Sequence, residues 1–172
     1  MNNPEKAGSW SFDFVSGRIN GFQRLFSGAN NVRDRHRSLC LTIVNATNKN
    51  LLLDHSHFDS GSYVQSFAKI PAGTAEAALV ANKQGSFCCG VSGGLSFKIE
   101  GTNTHIGCGF TNPHWGGYKF SALFGNKDIS EEAYHHAKGN EPVIRKEGEF
   151  ELQVRQHETN VAQMGYVWTL TQ

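Results

Sequence analysis

The stretch Leu95-Ser96-Phe97-Lys98-Ile99-Glu100-Gly101-Thr102-Asn103-Thr104-His105-Ile106-Gly107-Cys108-Gly109-Phe110 decides the architecture of this chain. Leu95, Phe97 and Ile99 alternate with Ser96, Lys98 and Glu100, the period of two that sends one face of a strand into a core and the other toward water. Gly101-Thr102-Asn103 then turns the chain into a second run, 105–110, so the stretch reads as a β-hairpin. The same alternation recurs on both sides. It brings Leu39, Leu41 and Ile43 into a strand that starts at Ser38 and ends at Asn45-Ala46-Thr47-Asn48. Short strands are expected at 51–53, 63–70 before Pro71-Ala72-Gly73, 75–80 and 87–91. Tyr118, Phe120, Ala122 and Phe124 make another, and Phe150, Leu152, Val154, then Tyr166, Trp168, Leu170 give two closing strands. Gly90-Val91-Ser92-Gly93-Gly94 lacks the lysine and the following helix of a phosphate loop and reads as a turn or bulge between strands.

Two segments depart from this period. Asp128 with Glu131 three residues on has the form of a capping box, and Gly139 supplies a left-handed stop, which predicts a helix of about three turns over 129–138. At the other end, Phe12, Val15, Ile19, Phe22 and Phe26 fall on one face at helical spacing, with Trp10 at its head and Asp13, Gly17, Asn20 and Arg24 opposite. Two glycines inside the stretch each cost about 1 kcal/mol of helix, so it is weak until something apolar covers it. The basic run Arg33, Arg35, His36 and Arg37 follows, a pattern that suits a membrane surface. A dock for a partner protein and a helix lying on its own domain are the competing readings. A mainly β fold results: a β-sandwich of antiparallel strands flanked by an N-terminal amphipathic helix and one short helix. The chain reads as a single domain over 1–172, with the helix region in 1–30 and the sandwich in 38–172.

Composition narrows the function. At 172 residues and a net charge of +1, the chain has the size of one core and lacks the basic excess of a nucleic-acid binder. Nineteen glycines against four prolines favour strands and tight turns. No apolar run reaches a membrane span and no signal peptide is evident, so the chain is expected to be soluble when made, either cytosolic or as a mature secreted form. Cys40, Cys88, Cys89 and Cys108 make no disulfide scaffold and are read as reduced and mostly buried. His55-Ser56-His57 and His135-His136 complete no zinc pattern, and no nucleophile elbow surrounds any Ser or Cys. No catalytic residue, metal or cofactor is expected. By contrast, Phe110-Thr111-Asn112-Pro113-His114-Trp115-Gly116-Gly117-Tyr118 spends aromatic residues on a loop, where they suit lipid headgroups, a choline cation or the apolar face of a sugar. The competing reading tucks Trp115 against its own domain.

The order of these elements resembles the actinoporins, small pore-forming proteins of sea anemones, and their relatives. Ser11-Phe12-Asp13-Phe14 is similar to the start of that family's inserting helix, and Asn31-Val32-Arg33 to its basic hinge. Phe58-Asp59-Ser60-Gly61 is similar to its Phe-Arg-Ser-Gly, and Phe110-Thr111-Asn112-Pro113 to its Phe-Ser-x-Pro loop. Glu131-Glu132-Ala133-Tyr134-His135 is similar to its acidic, tyrosine-rich helix. The resemblance implies a secreted protein, monomeric in solution, that binds phosphocholine headgroups such as that of sphingomyelin through Ser60, Thr111, Pro113, Tyr118 and Tyr134, with His135 in place of another tyrosine and Trp115 beside them. It further implies homo-oligomers on the target membrane and insertion of Trp10, Phe12, Val15, Ile19, Phe22 and Phe26. Gly116-Gly117-Tyr118-Lys119 stands where the family carries Tyr-Ser-Asn. A glycan-binding lectin of similar fold, without pore formation, is the alternative.

Overall fold

The computed structural model describes residue 32 and residues 35–67, 69–86, 88–137, 143–159 and 162–172. The amphipathic segment 10–26, Asn31, Arg33 and Gly139 lie outside the described residues. Within them, ten strands form two sheets. β1 (Ser38–Ala46), β3 (Ser62–Gln65), β4 (Thr74–Ala81), β8 (Val143–Glu147), β9 (Phe150–His157) and β10 (Met164–Thr171) make a six-stranded sheet in the order β3-β4-β1-β10-β9-β8. β2 (Leu51–Ser60), β5 (Val91–Ile99), β6 (His105–Asn112) and β7 (Lys119–Gly125) make a four-stranded sheet in the order β2-β5-β6-β7. One short helix, α1 (Ser130–His135), lies against the four-stranded sheet.

The hairpin read from the sequence is β5–β6, with Leu95 opposite Cys108 and Phe97 opposite Ile106. Gly101 turns it with φ +77°, a left-handed conformation that other residues reach only under strain. The inward sets of both sheets close one core: Leu39, Leu41, Ile43, Leu95, Phe97, Phe110, Phe120, Tyr166 and Trp168 are all fully buried. Two buried aromatics also tie the sheets by hydrogen bonds. Trp168 Nε1 donates to the Ser121 carbonyl at 2.8 Å and Tyr166 Oη to the Thr111 carbonyl at 2.9 Å, which satisfies polar atoms that burial would otherwise penalise.

Several sequence expectations are corrected. The sheets are not wholly antiparallel, because β1 pairs with β10 in parallel, Leu41 beside Tyr166. β1 is buried on both faces, Cys40 joining Val32, Ala77 and Leu79 in a small cluster opposite the main core, as a central strand requires. β2 extends through ten residues where three were expected, since its polar outer residues hide the alternation. The 63–70 segment holds strand pairing only over Ser62–Gln65, with Ile70 bridging back to Leu51. β8, exposed and charged along most of its length, is a solvated edge strand with no apolar signature. Cys88 and Cys89 are exposed; only Cys40 and Cys108 are buried.

The strand at 87–91 and the turn at 90–94 are displaced by one continuous strand, β5, which begins at Val91. Its glycines serve close approach instead of turning. A Cβ on Gly94 would meet the Ser130 carbonyl, and one on Gly109 the Ala133 carbonyl, so the α1 backbone rests directly on the sheet. Gly107 leaves room for Ile129 and Ala133, both buried. The capping box is also replaced: Asp128 Oδ1 accepts the Ser130 N–H at 2.9 Å, two residues on, and the helix runs six residues. Ser96 Oγ accepts the Ile129 N–H at 3.3 Å and Ser121 Oγ donates to the Ala133 carbonyl at 2.5 Å, fastening α1 at both ends.

Gly109→Ala is expected to destabilise the protein by about 1–3 kcal/mol, the range for overpacking, read as a lower urea midpoint. Gly117→Ala, in open space, is the neutral control. Burial pushes the Cys40 thiol up to about 11 and Cys108 well above its usual value. A disulfide-exchange reagent at about pH 8 should therefore modify two thiols rapidly, those of Cys88 and Cys89, and the other two only on unfolding.

Candidate functional site

The outer face of the four-stranded sheet carries α1, and β2 supplies its polar flank. Register shifts in the β2–β5 pairing fall between Leu53 and His55 and between Phe58 and Ser60. Each leaves one aspartate as the extra residue of a bulge, the device by which a strand re-aims a side chain. Asp54, in the first, reaches His105 Nε2 at 3.4 Å. Asp59, in the second, accepts a hydrogen bond from Ser92 Oγ at 3.3 Å.

These two carboxylates mark two polar poles about α1. Near its N-terminus, His55 Nδ1 lies 4.0 Å from Asp128 Oδ2 and His105 pairs with Asp54. Slight burial opposes ionisation of Asp128, but its hydrogen bonds to Ser130 and the nearby His55 and His105 hold the carboxyl below its usual range. Among the described residues no three His, Cys, Asp or Glu side chains converge to hold a metal ion. Near the other end, Ser60 Oγ lies 3.0 Å from Ser92 Oγ, and Ser92 continues to Asp59. Tyr134 from α1 closes this group. Partial burial and then a hydrogen bond to the Asp59 carboxylate push its phenol above the ordinary value, with Ser92 also within reach. The His57 ring stands 5.6 Å from that of Tyr134.

Of the expected headgroup residues, Ser60 and Tyr134 thus share one cluster through Ser92 and Asp59. Thr111 is opposite Ser92 in the sheet register, extending the row Ser60, Ser92, Thr111, Lys119 across four strands. Pro113, Trp115 and Tyr118 lie on the β6–β7 loop. Trp115 is 85 % exposed, touched edge-on by His114 at 5.0 Å between ring centroids, so it is not tucked against the domain. Tyr118 is half-buried and packs on the core. His135 is exposed; its ring neighbours Tyr134 at 5.0 Å and its Nε2 lies 3.7 Å from Glu131 Oε1. The base of the loop is held firmly: Asn112 Nδ2 donates to the Ser38 carbonyl and to Gln163 Oε1, and Arg37 Nη2 donates to the His114 carbonyl at 3.2 Å. The basic run that precedes β1 is thereby attached to the aromatic loop.

Sequence reasoning missed His57, Asp59 and Ser92 as members of this cluster. The Phe58-Asp59-Ser60-Gly61 motif was the available signal. Gly61 follows β2 at φ +80°, where a Cβ would meet the Ala81 carbonyl and Val91, so that only glycine fits there.

No protein-family model and no curated sequence matches the chain. Solved structures do. The crystal structure of the lipid-binding protein Nakanori superposes with a TM-score of 0.70 at 12 % identity, over 87 % of this chain and 78 % of that one. The Xerocomus chrysenteron lectin XCL superposes with a TM-score of 0.53 at 14 % identity, over 78 % of this chain and 99 % of the lectin. A triply mutated form of that lectin gives 0.54 at 13 % identity. At such identities the likeness is one of fold: this chain is a β-sandwich of the actinoporin-like kind, shared with a lipid-binding protein and a lectin.

Proposed function

We propose that this protein binds membrane lipids through the end of the sandwich that carries the 112–119 loop. The exposed indole of Trp115 on a braced loop carries the reading. A large aromatic in water gains by entering the headgroup layer, and Arg37, Lys119 and the hydroxyl row lie on neighbouring elements to meet polar groups there. The likeness in fold to Nakanori, a lipid-binding protein, supports the same reading. Beyond docking, the amphipathic segment 10–26 is the candidate inserting element. Seventeen helical residues at about 1.5 Å each reach about 25 Å, near the thickness of a hydrocarbon core. A single such helix cannot enclose water, so permeabilisation requires several copies, with Asp13, Asn20 and Arg24 lining the lumen and the phenylalanines facing lipid. The protein would act from outside on a target membrane, as a monomer until bound. Glycan binding at the same face, favoured by the likeness to XCL, is the second reading.

Trp115→Ala should weaken co-sedimentation with phosphatidylcholine vesicles about tenfold, the effect of losing roughly 1.5 kcal/mol of apolar burial. Unaltered co-sedimentation would remove the loop from the binding surface. Phe22→Asp should leave folding and docking intact while abolishing dye leakage from the same vesicles; leakage at the wild-type rate would exclude the helix from the mechanism. Retention on immobilised glycans, with no attachment to vesicles, would select the lectin reading.

A further inference from the structure

The hydroxyl row at Asp59 has a direction. Ser92 Oγ donates its one proton to Asp59 Oδ2 at 3.3 Å, so in the 3.0 Å contact between Ser60 and Ser92 the donor must be Ser60. The Tyr134 phenol, raised above its ordinary value by partial burial and the neighbouring Asp59 carboxylate, stands beside the same group. Two hydroxyl protons are thus turned inward along the chain Ser60, Ser92, Asp59. What the cluster presents outward is a set of oxygen lone pairs around a negative charge, flanked by the rings of Tyr134 and His57. Ser92 is more than nine-tenths buried, and Asp59, which can only accept, sets this direction.

Such a surface is poorly made for phosphate. A phosphate needs donors, and here it would meet acceptors and a like charge. A quaternary ammonium satisfies the charge and the ring faces but has no N–H to give. A primary ammonium supplies the opposite charge and three donors for the carboxylate and hydroxyl oxygens, and its positive charge suits the adjoining rings. We infer that the Asp59, Ser60, Ser92 and Tyr134 cluster is a primary-ammonium site, and that the lipid it selects in a bilayer is one with an ethanolamine headgroup. This deepens the membrane-binding reading and rests on it for the source of the amine. It also sets the cluster apart from the phosphocholine pocket that the resemblance implies, since an aspartate stands at position 59 where Phe-Arg-Ser-Gly carries an arginine.

The test uses the full chain and vesicles of phosphatidylcholine with and without phosphatidylethanolamine. Attachment should be about tenfold tighter with the ethanolamine lipid, and Asp59→Asn, nearly isosteric, should abolish that preference while leaving the Trp115-dependent attachment to choline vesicles. Tyr134→Phe, which keeps the ring and loses one oxygen, should reduce the preference in part. Calorimetry with O-phosphoethanolamine and phosphocholine reads the same site without a membrane. A preference that survives Asp59→Asn, or one for choline in both assays, overturns the ammonium site and leaves membrane docking standing. Asp59-dependent binding of O-phosphoethanolamine with no attachment to any vesicle supports the site and overturns the docking reading. Equal response to both probes in both assays overturns the inference.

Discussion

The contact on which the molecule depends is that between the α1 backbone and a patch of sheet without side chains. A six-residue helix has almost no stability of its own, because too few hydrogen bonds repay the cost of nucleation. It exists here because Gly94 and Gly109 let its carbonyls reach the sheet, where Ser96 and Ser121 hold its two ends. Any Cβ in that patch would lift the helix and with it Tyr134. A missing methyl group is thus two steps from the proposed ligand: glycine seats helix, helix seats phenol.

Strand β2 shows how an otherwise regular sheet is made to carry chemistry. A perfect alternation would leave each aspartate facing opposite to its two neighbours. The two bulges break the parity, so that Asp54 reaches His105 and Asp59 reaches Ser92. The core tolerates the irregularity because β2 is an edge strand with one partner, while the aromatic ties from Trp168 and Tyr166 cross the middle of the sandwich. Strain in register is confined to the rim and order to the centre.

How far this was legible follows from where the period of two survives. β1, β6, β7, β9 and β10 keep apolar residues at every second position because one face meets the core, and their alternation was plain. β2 and β8 are edge strands with polar or charged outer residues, so half of their signal is missing. The glycines of β5 look like turn formers in sequence, and only the presence of a helix above them gives their actual use. The parallel alignment of β1 with β10 is a property of two strands far apart in the chain, which no local pattern encodes. In the site, Ser60, Thr111 and Tyr134 could be named from motif order, whereas the role of Asp59 depends on a bulge, and a bulge leaves no mark on residue type.

The pairing of the first described strand with the last has a further effect. β1 lies between β4 and β10, and the tenth strand supplies one whole side of its hydrogen bonding together with Tyr166 and Trp168. During synthesis the central strand must therefore wait, half unpaired, until β10, more than a hundred residues further on, has been made. Contacts of such long sequence separation slow closure and lengthen the time for which an apolar edge stays open to other chains. Loss of β10 would be felt at Leu39, Leu41 and Ile43, more than a hundred residues away along the chain and adjacent to it in space.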